Sequence, residues 1–151
     1  MKLLSLELLK LKKKTRSWLG PILVFWLIMI AYPLTIEVSS ESMEIGFFSV
    51  LWISILLSMM FATEDIFTED YNDGSLEQTL INETSFAYQV GAKVLIHWLL
   101  IGIPISILSF IFSLGTTGDM VLSFLILPFA IMSSYIFLNL FVLGNALSLN
   151  K

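Results

Sequence analysis

The chain has 151 residues, of which 57% are hydrophobic and 13% are charged, and its formal net charge is −4. This composition is too apolar for a soluble domain of that length and is typical of an integral membrane protein. The chain contains no cysteine and one histidine, which excludes disulfides, thiolate catalysis, iron–sulfur clusters and cysteine-ligated zinc.

The first predicted element is a basic segment, residues 1–17. Six of the eight Lys and Arg residues of the chain occur before residue 17. Leu4, Leu8 and Leu11 fall on one face of a helix with the lysines largely opposite, as in a helix that lies on the inner surface of a membrane. A basic tail that only sets the topology of the chain explains the same residues equally well.

Four apolar stretches are long enough to cross a hydrocarbon core of about 30 Å, which takes roughly 20 helical residues. These predicted spans are approximately 18–36, 46–62, 94–114 and 120–143. They are apolar on all sides and do not alternate, which indicates helices and excludes the strands of a closed barrel. The sequence therefore predicts an all-α, polytopic transmembrane helical bundle, with residues 1–151 forming a single membrane domain.

The positions of Lys and Arg predict the orientation of the chain. If the N-terminus is cytoplasmic, all eight of these residues lie on the cytoplasmic side, including Lys93 and Lys151, and the outer loops 37–45 and 115–119 contain none. Segment 63–93 is then a cytoplasmic loop between the second and third spans.

This loop is acidic, because seven of the twelve Asp and Glu residues of the chain lie between positions 64 and 83. The inner leaflet is itself negatively charged, so the loop is expected to extend away from the headgroups into solvent. Two interpretations fit this pattern: the loop docks a soluble partner, or it is a solvated connector between two spans. The spacing of its residues alone does not favour one over the other.

A short helix is predicted inside the loop. An Asp-Gly turn signal precedes Ser75, and Gln78 follows Ser75 at the spacing of a capping box. The helix then begins at Leu76 and places Leu80 on the same face. The predicted docking segment comprises Asp73, Gly74, Ser75, Leu76, Glu77, Gln78 and Leu80.

Two motifs carry a resemblance to a known family. The runs EDYNDGSLEQTLI (69–81) and VGAKVLIHWLLIGIPISIL (90–108) resemble, in order and spacing, the central region of the cytochrome c maturation protein B (CcmB) family, the permease subunit of an ABC-type haem exporter. The basic N-terminus and the YPL sequence at 32–34 also fit. Members of that family have about six spans, so this chain is expected to be C-terminally short.

The resemblance implies a permease-type subunit of an ABC transporter complex in c-type cytochrome biogenesis, in the bacterial inner membrane with the N-terminus cytoplasmic. The expected partners are a separate ATPase of the cytochrome c maturation protein A type and other cytochrome c maturation membrane proteins, and not nucleic acid. The subunit would couple the ATPase to haem export or to release of the haem-loaded periplasmic chaperone, and the docking segment becomes the expected ATPase-coupling element. Haem enters as the transported or handled group.

No catalytic, cofactor-binding or metal-binding residue is predicted, and the sequence contains no G-x-x-x-x-G-K-[ST] phosphate loop. The candidate functional residues in and beside the third span are Lys93, His97 and Pro104. His97 lies about 6 Å along the helix from Lys93, near the cytoplasmic end, which is the wrong side for a ligand of periplasmic haem. We therefore expect an interfacial histidine that hydrogen-bonds Glu64 or Asp65.

The other two residue patterns concern packing. Pro104 and Pro128 each remove a backbone hydrogen bond and favour kinks, which could serve as flexing points or only as packing features. Ala130 and Ser134 predict a close helix–helix approach, with Asn139 bonding across it. Two alternative functions stay open: a permease of another ABC exporter, or a truncated remnant that binds partners without transporting.

Overall fold

The structure, a computed structural model, describes residues 15–35, 40–64, 66 and 86–148. Five α-helices and one π-helical turn make up almost all of this part of the chain, and it contains no strand. The helices are α1 (Thr15–Thr35), α2 (Ser40–Thr63), α3 (Phe86–His97), α4 (Ile103–Thr117) and α5 (Met120–Ser148), with the π turn Trp98–Gly102 between α3 and α4. The predicted all-α fold is confirmed.

Four helical stretches are long and apolar enough to cross a membrane: Trp18–Thr35, Gly46–Thr63, Tyr88–Thr117 and Met120–Leu147. The third runs without a break through α3, the π turn and α4. Because hydrocarbon offers no hydrogen-bond partner to the backbone, continuous helices are the form in which such segments can span it. The chain is thus built as a multi-pass membrane protein.

The helix that enters the third span is longer than the apolar run that predicts it. It begins at Phe86, eight residues before position 94, and so includes Lys93. A charged side chain limits the apolar window but does not end a helix, since lysine is itself a good helix former. The segments 67–85 and 1–14, including the whole predicted docking segment, lie outside the described residues.

The second span is the centre of the bundle. It packs against α1, α5 and α4, and α4 packs against α5. The largest fully buried apolar side chains come from all four spans: Phe25, Met29, Phe47, Leu51, Ile55, Met59, Ile101, Ile105 and Leu138.

The contact between α1 and α2 depends on a glycine. A methyl group at Gly46 would overlap the hydroxyl of Tyr32, so only glycine admits that ring at this position. The same ring packs on Phe47, with 6.4 Å between ring centroids. The end of α1 therefore meets the beginning of α2, and the two helices run antiparallel.

The turn between α4 and α5 consists of Gly118 and Asp119. Gly118 has φ 67°, a left-handed conformation that favours glycine, and its N–H donates to the Leu114 carbonyl at 3.1 Å. Asp119 Oδ1 accepts the N–H groups of Val121 and Leu122 at 2.8 and 3.3 Å, as an N-cap does. We call this the hairpin end of the bundle, and the opposite end, where α2 ends at Thr63 and α5 ends at Ser148, the loop end.

The hairpin gives a first prediction. Gly118→Ala should lower stability by about 1–2 kcal/mol, since a Cβ disfavours the left-handed conformation, and Asp119→Ala by about 1 kcal/mol through loss of the cap. Thermal unfolding in detergent measures both. Gly115→Ala is the matched control, because Gly115 is helical and a Cβ there meets nothing within 4 Å. Equal melting temperatures for Gly118→Ala and Gly115→Ala would contradict the conclusion that the left-handed conformation at residue 118 favours glycine.

Candidate functional site

The candidate site lies in the third span, where a buried histidine precedes the π turn. His97 is only 5% exposed. Its Nδ1 lies 3.0 Å from the carbonyl oxygen of Lys93, one turn earlier in the same helix. A carbonyl can only accept, so Nδ1 carries the proton in this contact. The sequence predicts a hydrogen bond from His97 to Glu64 or Asp65. Asp65 lies outside the described residues, and Nδ1 bonds a backbone carbonyl of its own helix.

The π turn lies directly before Pro104, the second residue of α4. Pro104 has no N–H to donate to the carbonyl of Leu100, and its ring crowds that carbonyl. The chain widens here, and the N–H of Ile103 donates to the carbonyl of Trp98, five residues earlier. The sequence predicts a kink at Pro104; what the structure shows directly before it is a π turn, a feature that is frequent at functional sites.

Trp98 connects the π turn to α5. Its indole N–H donates to Ser134 Oγ at 3.2 Å, and its ring stands edge-on to Tyr135, with 5.3 Å between centroids. Gly102 makes this possible, because a Cβ there would lie 2.6 Å from Trp98 Cδ1 and 3.2 Å from Ser134 Oγ. The π turn is thus held against α5 by one aromatic side chain.

The small residues of α5 have the predicted role. Ala130 and Ser134 are both fully buried, and Ser134 lies at the close approach to Gly102. The expected bond from Asn139 across the helix contact is wrong: its Nδ2 donates to the Tyr135 carbonyl of the same helix at 2.7 Å. The carbonyl one turn back is the nearer acceptor, and a short polar side chain on a helix bonds it readily.

Buried serines bond either their own helix or the neighbouring one. Ser106 and Ser109 donate to carbonyls four residues earlier at 2.7 and 2.8 Å, and Ser113 pairs with Ser123 across the α4–α5 contact at 3.1 Å. Ser58 Oγ is the one buried side-chain oxygen of the described residues without a hydrogen-bond partner. These hydroxyls pack helices closely and do not form a set of metal ligands; no cluster of three or more candidate ligands occurs in the described ranges.

The loop end contains a polar contact that sequence analysis does not predict. Asn145, in the last turn of α5, donates from Nδ2 to the carbonyl of Thr63 and, at 3.3 Å, to that of Glu64. Beside this amide is a cavity of about 360 Å³. It is lined by Met60, Phe61, Thr63, Glu64, Phe141, Gly144 and Asn145.

Comparison with known proteins identifies the family. The family model described as "CcmB protein" matches residues 1–117, which include α1, α2 and the whole third span. The chain belongs to the CcmB protein family. The predicted resemblance is confirmed, and His97, Trp98, Gly102 and Pro104 all lie within the CcmB match.

Similar curated proteins include three called "Heme exporter protein B". The one from Pseudomonas aeruginosa is 30% identical over 112 residues, which are 74% of this chain and 50% of the relative. The one from Haemophilus influenzae is 31% identical over 109 residues, 72% and 49% respectively. The Escherichia coli protein is 33% identical over 90 residues, 60% and 41%. No solved structure matches. The chain spans about half the length of the CcmB relatives that it matches.

The π turn gives a second prediction. Gly102→Ala should displace the Trp98 ring and cost about 1–3 kcal/mol, as overpacking of a filled core does. Thermal unfolding in detergent is the measurement, and Gly91→Ala is the control, because a Cβ at Gly91 meets nothing within 4 Å. The new methyl group would overlap the Trp98 ring. Trp98→Phe should therefore lower the melting temperature less when Gly102→Ala is already present than when it is made alone. Additive losses would show that the two residues do not depend on each other.

Proposed function

We propose that this chain is a permease-type membrane subunit of an ABC transporter complex in c-type cytochrome biogenesis. The observation that carries the proposal is the CcmB match over residues 1–117, supported by relatives called heme exporter protein B and by four helices suited to cross a membrane. Haem is the substrate class: the subunit serves its export or the release of a haem-loaded periplasmic chaperone. The subunit has no catalytic site of its own.

The proposed location is the bacterial inner membrane, with the N-terminus and the loop end in the cytoplasm. Two facts support this orientation. Four crossings bring the segments before α1 and after α5 to the same side, and the eight Lys and Arg residues of the chain lie in those two segments, in the first turn of α1 or, for Lys93, in α3. An excess of Lys and Arg is typical of cytoplasmic loops.

ATP hydrolysis is assigned to a separate ATPase subunit that meets the chain at the loop end. The connection between α2 and α3 starts and finishes there, and it contains the docking segment Asp73–Leu80. Its acidic side chains would steer the encounter, because an exposed ion pair contributes only about 0–1 kcal/mol. Leu76 and Leu80 would supply most of the affinity, at about 1.5–3 kcal/mol for each leucine that becomes fully buried.

Replacement of both leucines tests this assignment. Leu76→Asp with Leu80→Asp should abolish co-purification of the ATPase from detergent-solubilised membranes and stop haem attachment to c-type cytochromes, while the chain still inserts at its normal level. Glu69→Gln with Asp70→Asn is the control, because it removes charge and keeps the leucines; it should weaken the pairing mildly and mainly at low salt. Retention of the ATPase and of cytochrome c by the leucine variant would make the segment a solvated connector.

His97 is proposed as a structural residue and not as a haem ligand. Its Nδ1 faces a backbone carbonyl, and it lies near the proposed cytoplasmic side. His97→Ala should therefore leave haem attachment to c-type cytochromes close to the unaltered level, measured by haem staining at matched protein abundance. A loss of cytochrome c with normal amounts of the variant would assign the imidazole a direct role.

A further inference from the structure

The exit of α2 is a defined turn and not a frayed helix end. The last carbonyls of a helix have no partner within it, yet here the Met60 carbonyl accepts the Thr63 hydroxyl at 2.8 Å and the Thr63 carbonyl accepts the Ile66 N–H at 3.2 Å. Ile66 is 1% exposed, so the chain is still anchored in the core where it leaves the described region.

Asn145 completes this turn from another helix. Its amide reaches the carbonyls of Thr63 and Glu64, groups 82 and 81 residues away in sequence. The Asn145 Nδ2 carries two N–H groups, so it can donate to both of these adjacent carbonyls. In a helix as apolar as α5, this amide is one of few side chains that can satisfy backbone groups at the edge of a membrane.

The cavity beside the amide shows how the two helix ends are connected. One turn before Thr63, Met59 of α2 is fully buried, and so is Leu138 of α5. At the loop end, a cavity of about 360 Å³ lies between Phe61 and Phe141. Ala62 and Val142 are buried beside this cavity, and the hydrogen bonds of Asn145 add a specific polar link between the two helices.

We infer that Asn145 is a positioning residue for coupling: it fixes the end of α5 to the root of the α2–α3 connection, so that a displacement of this connection by the ATPase moves α2 and α5 together. The inference rests on the proposed function, since it takes that connection to be the contact with the ATPase. Asn145 lies beyond residues 1–117, the part of the chain that the family model covers.

The chemistry of the amide allows an isosteric test. Asn145→Asp keeps the size of the side chain but replaces the donor by a carboxylate that faces two carbonyl oxygens. Asn139→Asp is the matched control. Asn139 lies on the same helix, and its Nδ2 donates to the carbonyl of Tyr135, one turn earlier in that helix. Asn145→Gln keeps a donating amide and is the conservative replacement.

The experiment combines hydrogen exchange with function in the full chain. In nanodiscs, Asn145→Asp should speed amide exchange at residues 63–66 at least tenfold and leave the hairpin end unchanged. In cells, the ATPase should still co-purify within about twofold, whereas haem attachment to c-type cytochromes should fall at least tenfold. Asn139→Asp should change none of these quantities, and Asn145→Gln should recover at least half of the attachment. If Asn145→Asp does not accumulate, Asn145→Ala removes the donors without adding charge.

Unchanged exchange at residues 63–66, or faster exchange with haem attachment equal to that of Asn139→Asp, would overturn the inference. Loss of the ATPase from Asn145→Asp would also do so, because the residue would then serve binding and not coupling. Failure of the proposed function is distinguishable, since in that case the unaltered chain itself neither co-purifies with the ATPase nor supports haem attachment.

Discussion

A backbone carbonyl that its own helix leaves without a donor needs another hydrogen-bond partner, which in lipid must come from the protein. Pro104 has no N–H to donate, and the helix forms a π turn before it, in which the Ile103 N–H donates to the Trp98 carbonyl, five residues earlier. At the hairpin end the turn is made by Gly118, and its N–H closes on Leu114. At the loop end the Thr63 carbonyl, which α2 cannot satisfy, accepts the Ile66 N–H and the Asn145 amide. Each departure brings helices into specific contact.

The same constraint explains why serine and asparagine in the spans mostly bond their own helix. A carbonyl one turn back is always within reach, whereas a partner on another helix needs a particular register. Some side chains do bond across helices: Ser113 pairs with Ser123, and the Trp98 indole donates to Ser134. Asn145 does so as well, because the carbonyls at the end of α2 have no partner further along that helix.

The sequence predicts the fold well because long apolar runs allow few alternatives in a membrane. The four spans and the close approach at Ala130 and Ser134 follow from composition and spacing. The π turn cannot be predicted in the same way. Proline removes a backbone donor, but the position at which the helix widens also depends on Gly102 and on the Trp98 ring. Asn145 is missed because its acceptors are backbone atoms, which carry no signal in the sequence, and because they lie 82 residues away.

Burial differs among the spans in a way that fits this arrangement. In the apolar windows of the second and third spans 44% of residues are buried, against 22% in the first and 28% in the fourth. The inner two spans hold the candidate site and the α2 exit, while the outer two present apolar side chains such as Leu27 and Val121 outward. Such side chains suit contact with lipid tails.

The short hairpin has a mechanical consequence. With only Gly118 and Asp119 between them, α4 and α5 cannot slide past one another by a helical turn without breaking the cap. A tilt of one would therefore involve the other, and the π turn Trp98–Gly102 is where α4 joins α3. A displacement of the Asn145 end of α5 would then reach α4, the part of the third span that follows the π turn.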